Sequence, residues 1–521
     1  MDPIPDTLYT LQDTRYPKRA TMRNHIPIII LVITAAVLIF ANLGNQYLWQ
    51  DEAETAVLAR NTLKYGFPRA YDGKNYVNPR TITLYGVGFG EDHAWLYHPW
   101  GQFYMTALSF KLFGESTFTA RLPFALLGVA NILMLYLLVL RLTRVGFIAS
   151  CSAFLMAFSV PYLLLMRQCR YYAPAVFLVL FMLHFYSRFR EKGRLLDLSL
   201  VSAALVALAY TVHGMFVPMF AALGLHYVFF SFDRKSFPKV LVFAVVVAAA
   251  AAPWFLSSRS LAHAQELTAG GLWKNFEFQI RMINKYIFPV VFFAGVYAVR
   301  AAWKRKLSIK LSPREKDSLI LISIVVAMTI LTFIFAGQRM FRYLVYFVPL
   351  LAIVESMILL RLARLSRLAL GAFLVISVTT GVFNMGTPNF LLPKYIYEIT
   401  HDYDGPIEGI VKFLNENAGP GDTVKIIFGD QPLMFYTGLK IDNSWVYDDE
   451  HMPEWIVFRH GWHELLTNRY YTRVAETYKR HDLDYPDIKW ENRPGDLDYH
   501  RFSTDTEAPR VVVFEKVEKI Q

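Results

Sequence analysis

The strongest constraint on this chain is a series of long apolar runs almost free of charge. They recur at roughly 26–43, 122–142, 146–165, 172–187, 195–213, 215–232, 239–256, 286–303, 318–337, 341–360 and 366–384. Spanning a hydrocarbon core takes about 20 apolar residues in a helix. The backbone of such a helix satisfies its own hydrogen bonds, which lipid requires. A soluble helical core would keep a polar stripe at helical spacing, and a stretch such as 243–253 has none. Charged residues make up 18% of the chain, against about 25% in soluble domains, and they gather between the runs. The expectation is a polytopic α-helical membrane protein with about eleven spans. The first run follows some 25 polar residues and ends without a small-x-small cleavage site, so it reads as a span and not as a signal peptide.

Orientation follows from lysine and arginine. Alternate loops carry Lys18, Arg19 and Arg23; Arg141 and Arg144; Arg188, Arg190, Lys192 and Arg194; Arg234, Lys235 and Lys239; a cluster from Lys304 to Lys316; and Arg361, Arg364 and Arg367. Positive loops remain cytoplasmic, which predicts a cytoplasmic N-terminus and, with an odd number of spans, an external C-terminus. The net charge of +11 is then a consequence of topology, and nucleic-acid binding is not inferred from it.

The organisation read this way is a cytoplasmic segment 1–25, a membrane domain 26–386 and an extracytoplasmic domain 387–521. The first outer loop, 44–97, is much longer than a connector needs, and long loops are usually functional. A second outer stretch covers 257–285. In the tail, Ile407, Ile410, Val411 and Leu414 have helical spacing and Gly419 suits a C-terminal cap, while 423–428 and 511–515 read as strands. A small α/β domain is expected there. Cys151 and Cys169 would lie about 27 Å apart on one helix, too far for a disulfide.

Chemistry concentrates near the outer face. Asp51, Glu52 and Glu54 follow the first span closely. Asp51 can cap a helix that Gly66 ends, with Glu54 completing a capping box, and equally can present a carboxylate at the membrane surface. Glu91, Asp92 and His98 lie later in the same loop. Outer helix ends should be poor in arginine, yet Arg167 and Arg170 form one pair and Arg339 and Arg342 another. Spacing of i,i+3 puts each pair on one face if the segment is helical. Arginine near a bilayer usually has a partner. Either these arginines snorkel to headgroups or they clamp a phosphate, whose oxygens a guanidinium fork matches. Tyr171 and Tyr343 add hydroxyl donors or belong to an interfacial aromatic belt. Arg121 reads as a structural anchor, and His213, at an outer helix end, as a possible cavity residue. His460, His463 and Glu464 have metal-like spacing without a third clear ligand. No metal site is assigned, and a divalent metal is not supported by the sequence.

A carboxylate beside arginines at one membrane face suits sugar transfer from a polyprenyl phosphate. The arginines stabilise an anionic leaving group and the carboxylate takes the acceptor's proton. Asp51, Glu52 and Ala53; His98 and Pro99 leading into 112–116 and 120–123; Arg167 to Tyr172; Arg342 and Tyr343 with 349–351; and 421–424 together resemble the GT-C superfamily, in its bacterial branch similar to protein O-mannosyltransferases and lipid A aminoarabinose transferases. The resemblance implies a polyprenyl-phosphate (undecaprenyl-phosphate) sugar donor, an inverting transfer to a glycolipid or protein hydroxyl, and a bacterial inner-membrane location among membrane lipids. On that reading Asp51 and Glu52 are the candidate catalytic residues, with Asp51 the base. Arg167, Arg170, Tyr171, Arg339, Arg342 and Tyr343 would hold the donor phosphate. Glu91, Asp92 and His98 would face acceptor or sugar. The alternative is a lipid-linked sugar transporter or flippase, which would want charges at mid-membrane and two related halves; neither is evident.

Overall fold

The computed structural model describes residues 26–78, 89–257, 268–289, 311–337, 339–365, 391–444, 452–459, 468–488 and 499–517, with a few single positions between them. Its membrane part comprises α1 (Ile26–Phe40), α2 (Gln50–Tyr65), α3 (Gly101–Phe113), α4 (Thr117–Thr143), α5 (Gly146–Ala157), α6 (Val160–Met166), α7 (Tyr172–Lys192), α8 (Leu195–Ala209), α9 (His213–Phe230), α10 (Phe237–Ser257), α11 (Ala269–Tyr286), α12 (Pro313–Phe335) and α13 (Phe347–Leu365).

Five of these, α4, α7, α9, α10 and α12, are long and apolar enough to cross a membrane. A sixth span results if α5 and α6, bent by 66° at their junction, are counted as one. Pro161 in the first turn of α6 marks that break: proline suits a helix start and lacks the N–H that would continue the preceding helix. Helices α1 and α8 are apolar but shorter. Most of the eighth and eleventh expected runs, 286–303 and 366–384, fall outside the described residues. Interior faces of α4, α7 and α9 pack into one core, with Phe124, Leu135, Val179 and Met219 among its buried members. Outward residues of α10 such as Leu241, Val245 and Val246 remain exposed, as lipid-facing positions do.

Residues 268–286 contain α11 within the stretch read as the second outer loop. Asn275, Gln279, Met282 and Ile283 are buried on one side, and Trp273, Phe276 and Ile280 are exposed on another. Its polar residues interrupt the apolar run a span requires, so it is amphipathic instead.

After α14 (Leu391–Thr400) comes α15 (Pro406–Asn417), then a five-stranded sheet. Its strands are β1 (Thr423–Ile426), β2 (Lys440–Asp442), β3 (Trp455–Phe458), β4 (Tyr478–Pro486) and β5 (Arg510–Lys516), with α16 (Asp430–Tyr436) between β1 and β2 and α17 (Asn468–Thr477) before β4. The order is β2-β1-β3-β5-β4. The first three strands are parallel, and β5 is antiparallel to both β3 and β4. The helix expected at 407–414 and both expected strands are present. Gly419 is not the cap: Ala418 caps α15, and the Gly419 N–H instead donates to Asp422 at 2.9 Å.

This domain sits on the same side as the first long loop and grips it. Tyr436 stacks on Tyr47 at 4.3 Å, and Arg60 donates to the carbonyls of Met434 and Phe435. Helix α14 ties in below, where the Tyr395 hydroxyl donates to the Leu38 carbonyl at 2.7 Å.

Candidate active site

The site forms where α2 meets the breaks between α6 and α7 and between α12 and α13. Asp51 lies in the first turn of α2, not at its cap. Trp49 is the N-cap residue and makes no side-chain cap bond, so the expected capping box is not used. Gly66 does end the helix, at φ +85°, where a side chain would be strained. Freed from capping, the Asp51 carboxylate pairs with Arg342 Nη1, and Arg170 Nη2 stands 3.9 Å from the same oxygen. Its side chain keeps about 25% of its surface exposed. It is a reachable anion between two arginines.

Arg170 is almost fully buried. Its Nη1 donates to the Asp51 carbonyl at 2.9 Å, to Glu54 Oε1 at 3.0 Å and to Thr55 Oγ1 at 3.2 Å. Its Nη2 lies 3.3 Å from His98 Nε2. A guanidinium can only donate, so that imidazole nitrogen accepts and the ring is neutral. Burial, with Arg170 beside it, holds the His98 ring well below its ordinary pKa, against the pull of Asp51. Glu54, at 3.8 Å from the imidazole, is too distant to reverse this by hydrogen bonding. Burial pushes the Glu54 carboxyl above its usual range, while Arg170 pulls it back. Asn78 adds a donor to Glu54 at 3.2 Å.

Glu52 behaves differently from its neighbour. It is 1% exposed and forked to Arg121, with bonds of 2.9 and 2.6 Å. It also accepts from the Cys169 N–H at 2.8 Å. Arg121 spends its remaining donors on the carbonyls of Leu43, Gln46 and Tyr47. Both Glu52 oxygens are therefore engaged in holding α2 against α4 and the 167–171 turn, the role sequence reading gave to Arg121 alone.

The paired arginines separate. Residues 167–171 form a turn, not a helix, so the i,i+3 rule does not put Arg167 and Arg170 on one face. Arg167 turns to the end of α1 and donates to the carbonyls of Leu38, Ile39, Ala41 and Asn42, in and just past the last turn, where helix carbonyls lack intrahelical donors. Arg339 is exposed, whereas Arg342, three residues on, is buried beside Asp51. Tyr171 and Tyr343 present ring faces to Arg170 and Arg342 at 5.4 and 5.5 Å. Glu91 and Asp92 are exposed on a short 3-10 turn and, among the described residues, touch none of this cluster.

Sequence reading did not single out Glu54 as a site residue, nor Tyr172 and Tyr346. The hydroxyls of both tyrosines are buried without a partner among the described residues. Tyr172 lies near enough to Arg342 to interact with it electrostatically. A second tyrosine two residues after Arg170 was the available signal for Tyr172. His213, at the start of α9, stands close enough to His98 to oppose its protonation. Cys151 and Cys169 are both buried free thiols. The His460, His463 and Glu464 group lies outside the described residues.

Residues 97–256 match the protein family described as dolichyl-phosphate-mannose-protein mannosyltransferase. Among curated proteins, an uncharacterized protein of Aquifex aeolicus is 27% identical over 198 residues, 36% of this chain; the match spans about a third (35%) of that relative's length. Among solved structures, ArnT from Cupriavidus metallidurans bound to undecaprenyl phosphate is similar, with TM-score 0.52 and 14% identity over 94% of this chain and 98% of that one. The Archaeoglobus fulgidus oligosaccharyltransferase tethered with an acceptor peptide gives TM-score 0.50 and 13% identity, covering 90% of this chain and 74% of that one. The chain has the GT-C glycosyltransferase fold.

Proposed function

We propose that this GT-C-fold protein is a membrane glycosyltransferase that moves a sugar from a polyprenyl-phosphate donor to a hydroxyl acceptor, a glycolipid or a protein, on the outer face of a bacterial inner membrane. The observation that carries the reading is Asp51, partly exposed and set between Arg342 and Arg170. The acceptor oxygen attacks the anomeric carbon of the sugar from the face opposite the phosphate. The carbon–oxygen bond to phosphate breaks, and its electron pair leaves on the polyprenyl phosphate. Asp51 takes the acceptor's proton as general base. One displacement of this kind inverts the anomeric centre.

The leaving group develops negative charge where two arginines are already held in place, so no acid needs to protonate it. Arg342 Nε has no acceptor among the described residues, which leaves it an N–H for a phosphate oxygen. Arg170 is fixed by five neighbouring groups and acts more as a preset charge than as a mobile clamp. Tyr171 and Tyr343 flank the phosphate position, and neutral His98 faces the sugar or acceptor. Glu52 and Arg167 hold the scaffold. That the Cupriavidus metallidurans structure holds undecaprenyl phosphate supports this class of leaving group. A first loop and a C-terminal domain on one face support a site outside the membrane, with the N-terminus inside.

The test is Asp51→Asn. Trp49, not Asp51, is the N-cap residue, so the change leaves the start of α2 intact. It removes the charge that faces Arg342 and Arg170 and a helix-dipole contribution of about 0.3–1 kcal/mol, while the amide oxygen can still accept from a guanidinium, so the protein should still fold. Single-turnover transfer from a labelled polyprenyl-phosphate sugar should fall about 100-fold or more, with donor binding retained. Near-wild-type transfer would remove Asp51 from the chemistry. Wild-type protein that moves the intact lipid across a bilayer without cleaving its sugar would replace the transferase with a flippase.

A further inference from the structure

The helix that carries Asp51 is not held by the membrane domain alone. Four of the five residues before Asp51 are satisfied by groups from α14 onward. Gln46 Nε2 donates to Glu398 at 3.3 Å. The Tyr47 N–H donates to Glu408 at 3.0 Å, and the Leu48 N–H to the Tyr436 hydroxyl at 2.9 Å. Gln50, adjacent to Asp51, is bound twice: its Nε2 donates to Asp430 Oδ1 at 2.6 Å, and its Oε1 accepts from the Gly429 N–H at 3.1 Å.

The place where Gln50 lands follows from the sheet topology. The chain leaves the interior strand β1, passes through α16 to β2 on one side of it, then crosses to β3 on the other. Strand order reverses between β1 and β3, and open α/β sheets take their ligands at the carboxyl ends of the strands at such a point. Gly429 and Asp430 follow β1 there, and Arg459 follows β3, donating to Asp487 at 2.8 Å and toward the Phe428 carbonyl at 3.4 Å. Gly429 has φ +99°, a backbone conformation that strains any L side chain, so the turn out of β1 favours glycine. The crevice that would hold a small ligand receives the Gln50 side chain instead.

Asp430 is fully buried and accepts from three neutral amides: Gln50, Gln431 at 2.8 Å and Asn443 at 2.9 Å. A buried carboxylate satisfied in this way imposes geometry, because removing any donor leaves part of a buried charge without its hydrogen bond. The contact therefore fixes the start of α2 to better than side-chain freedom would allow, one residue from the base.

We propose that Gln50 and Asp430 are positioning residues, through which the C-terminal domain sets the placement of the Asp51 carboxylate. This rests on the transferase reading given above for Asp51. Misplacement by about 1 Å costs up to ~100-fold in rate. Gln50→Ala and Asp430→Asn should each slow single-turnover transfer about 10-fold or more, by that same argument. Donor-lipid affinity should stay within about twofold, since Arg342 comes from another element. In an Asp51→Asn background Gln50→Ala should cost nothing further, because its effect passes through the carboxylate.

Hydrogen exchange over residues 46–54 supplies a readout independent of activity. It should rise in both variants, with a fall of only a few degrees in the thermal midpoint of the full chain, the scale of one unsatisfied buried hydrogen bond of about 1–3 kcal/mol. Equal rate losses with and without Asp51 would overturn positioning in favour of a general structural role. So would unchanged exchange in both variants. If the wild type transfers no sugar, the transferase reading falls, and exchange alone decides the clasp: a rise in both variants supports it and no rise overturns it.

Discussion

Glu52→Gln separates a carboxylate that holds the scaffold from one that performs chemistry. Glu52 is buried and shares two bonds with Arg121 and one with the Cys169 N–H. Glutamine keeps the shape but has one acceptor oxygen. The better orientation places that oxygen where Oε1 serves two donors, and turns the NH2 toward Arg121 Nη2. One charge-assisted bond is lost, a donor faces a donor, and the Arg121 charge loses its counter-ion. Breaking a buried ion pair from one side costs about 3–5 kcal/mol. Arg121 retains the Leu43, Gln46 and Tyr47 carbonyls, which places the expected cost near the lower end, about 3 kcal/mol. Chains of 150–250 residues shift by about 2–4 °C per kcal/mol, and longer ones by less. A fall of ~5 °C follows, read by tryptophan-fluorescence unfolding in detergent at one fixed scan rate, since membrane-protein unfolding is rarely reversible. Adding Arg121→Gln should recover part of the loss, because two amides can pair where a lone buried guanidinium cannot. An unchanged midpoint with transfer abolished would refute this reasoning and return Glu52 to the chemistry.

Arg342→Lys keeps the charge and loses the planar fork, so donor-lipid affinity should weaken about 10-fold or more, the loss of one charge-assisted bond of ~1.5–3 kcal/mol. Lipid-binding titration checks it, and unchanged affinity would reduce Arg342 to the partner of Asp51. His98 gives a pH test. Its folded pKa lies well below its ordinary value, so below about pH 6.5 the unfolded chain binds a proton that the folded chain refuses. Stability should therefore be unaffected by His98 above that pH and should fall as pH drops below it, by at most about 1.4 kcal/mol per pH unit. His98→Asn, whose oxygen can still accept from Arg170, should flatten the thermal midpoint between pH 6.5 and 5.5; an equal slope in both proteins would place the titration elsewhere.

Several features were legible in the sequence because they depend on local composition. Apolar runs of span length must be helices in lipid, whatever their neighbours, and nine of the eleven expected runs coincide with described helices. The tail's helix and strands followed from periodicity in the same way. The order of acidic and arginine motifs also brought Asp51, Arg170 and Arg342 forward as one group, because charge at a membrane face needs a partner.

What the sequence left undecided was how each charge is used. Asp51 and Glu52 are adjacent and chemically alike, yet a helix points neighbouring side chains about 100° apart. One therefore reaches Arg342 at a partly open site, and the other is sealed against Arg121. Arg167 and Arg170 share an i,i+3 spacing that means one face only in a helix. The turn after α6 sends the first to the end of α1 and the second to α2. Glu54 and the half-buried His98 are joined through Arg170, contacts across more than 70 residues of sequence. Gln50 meets Asp430 across 380 positions, and no local pattern encodes that meeting. Composition determined that this chain lies in a membrane; long-range packing decided which carboxylate is left accessible, because exposure depends on neighbours that only the folded chain brings together.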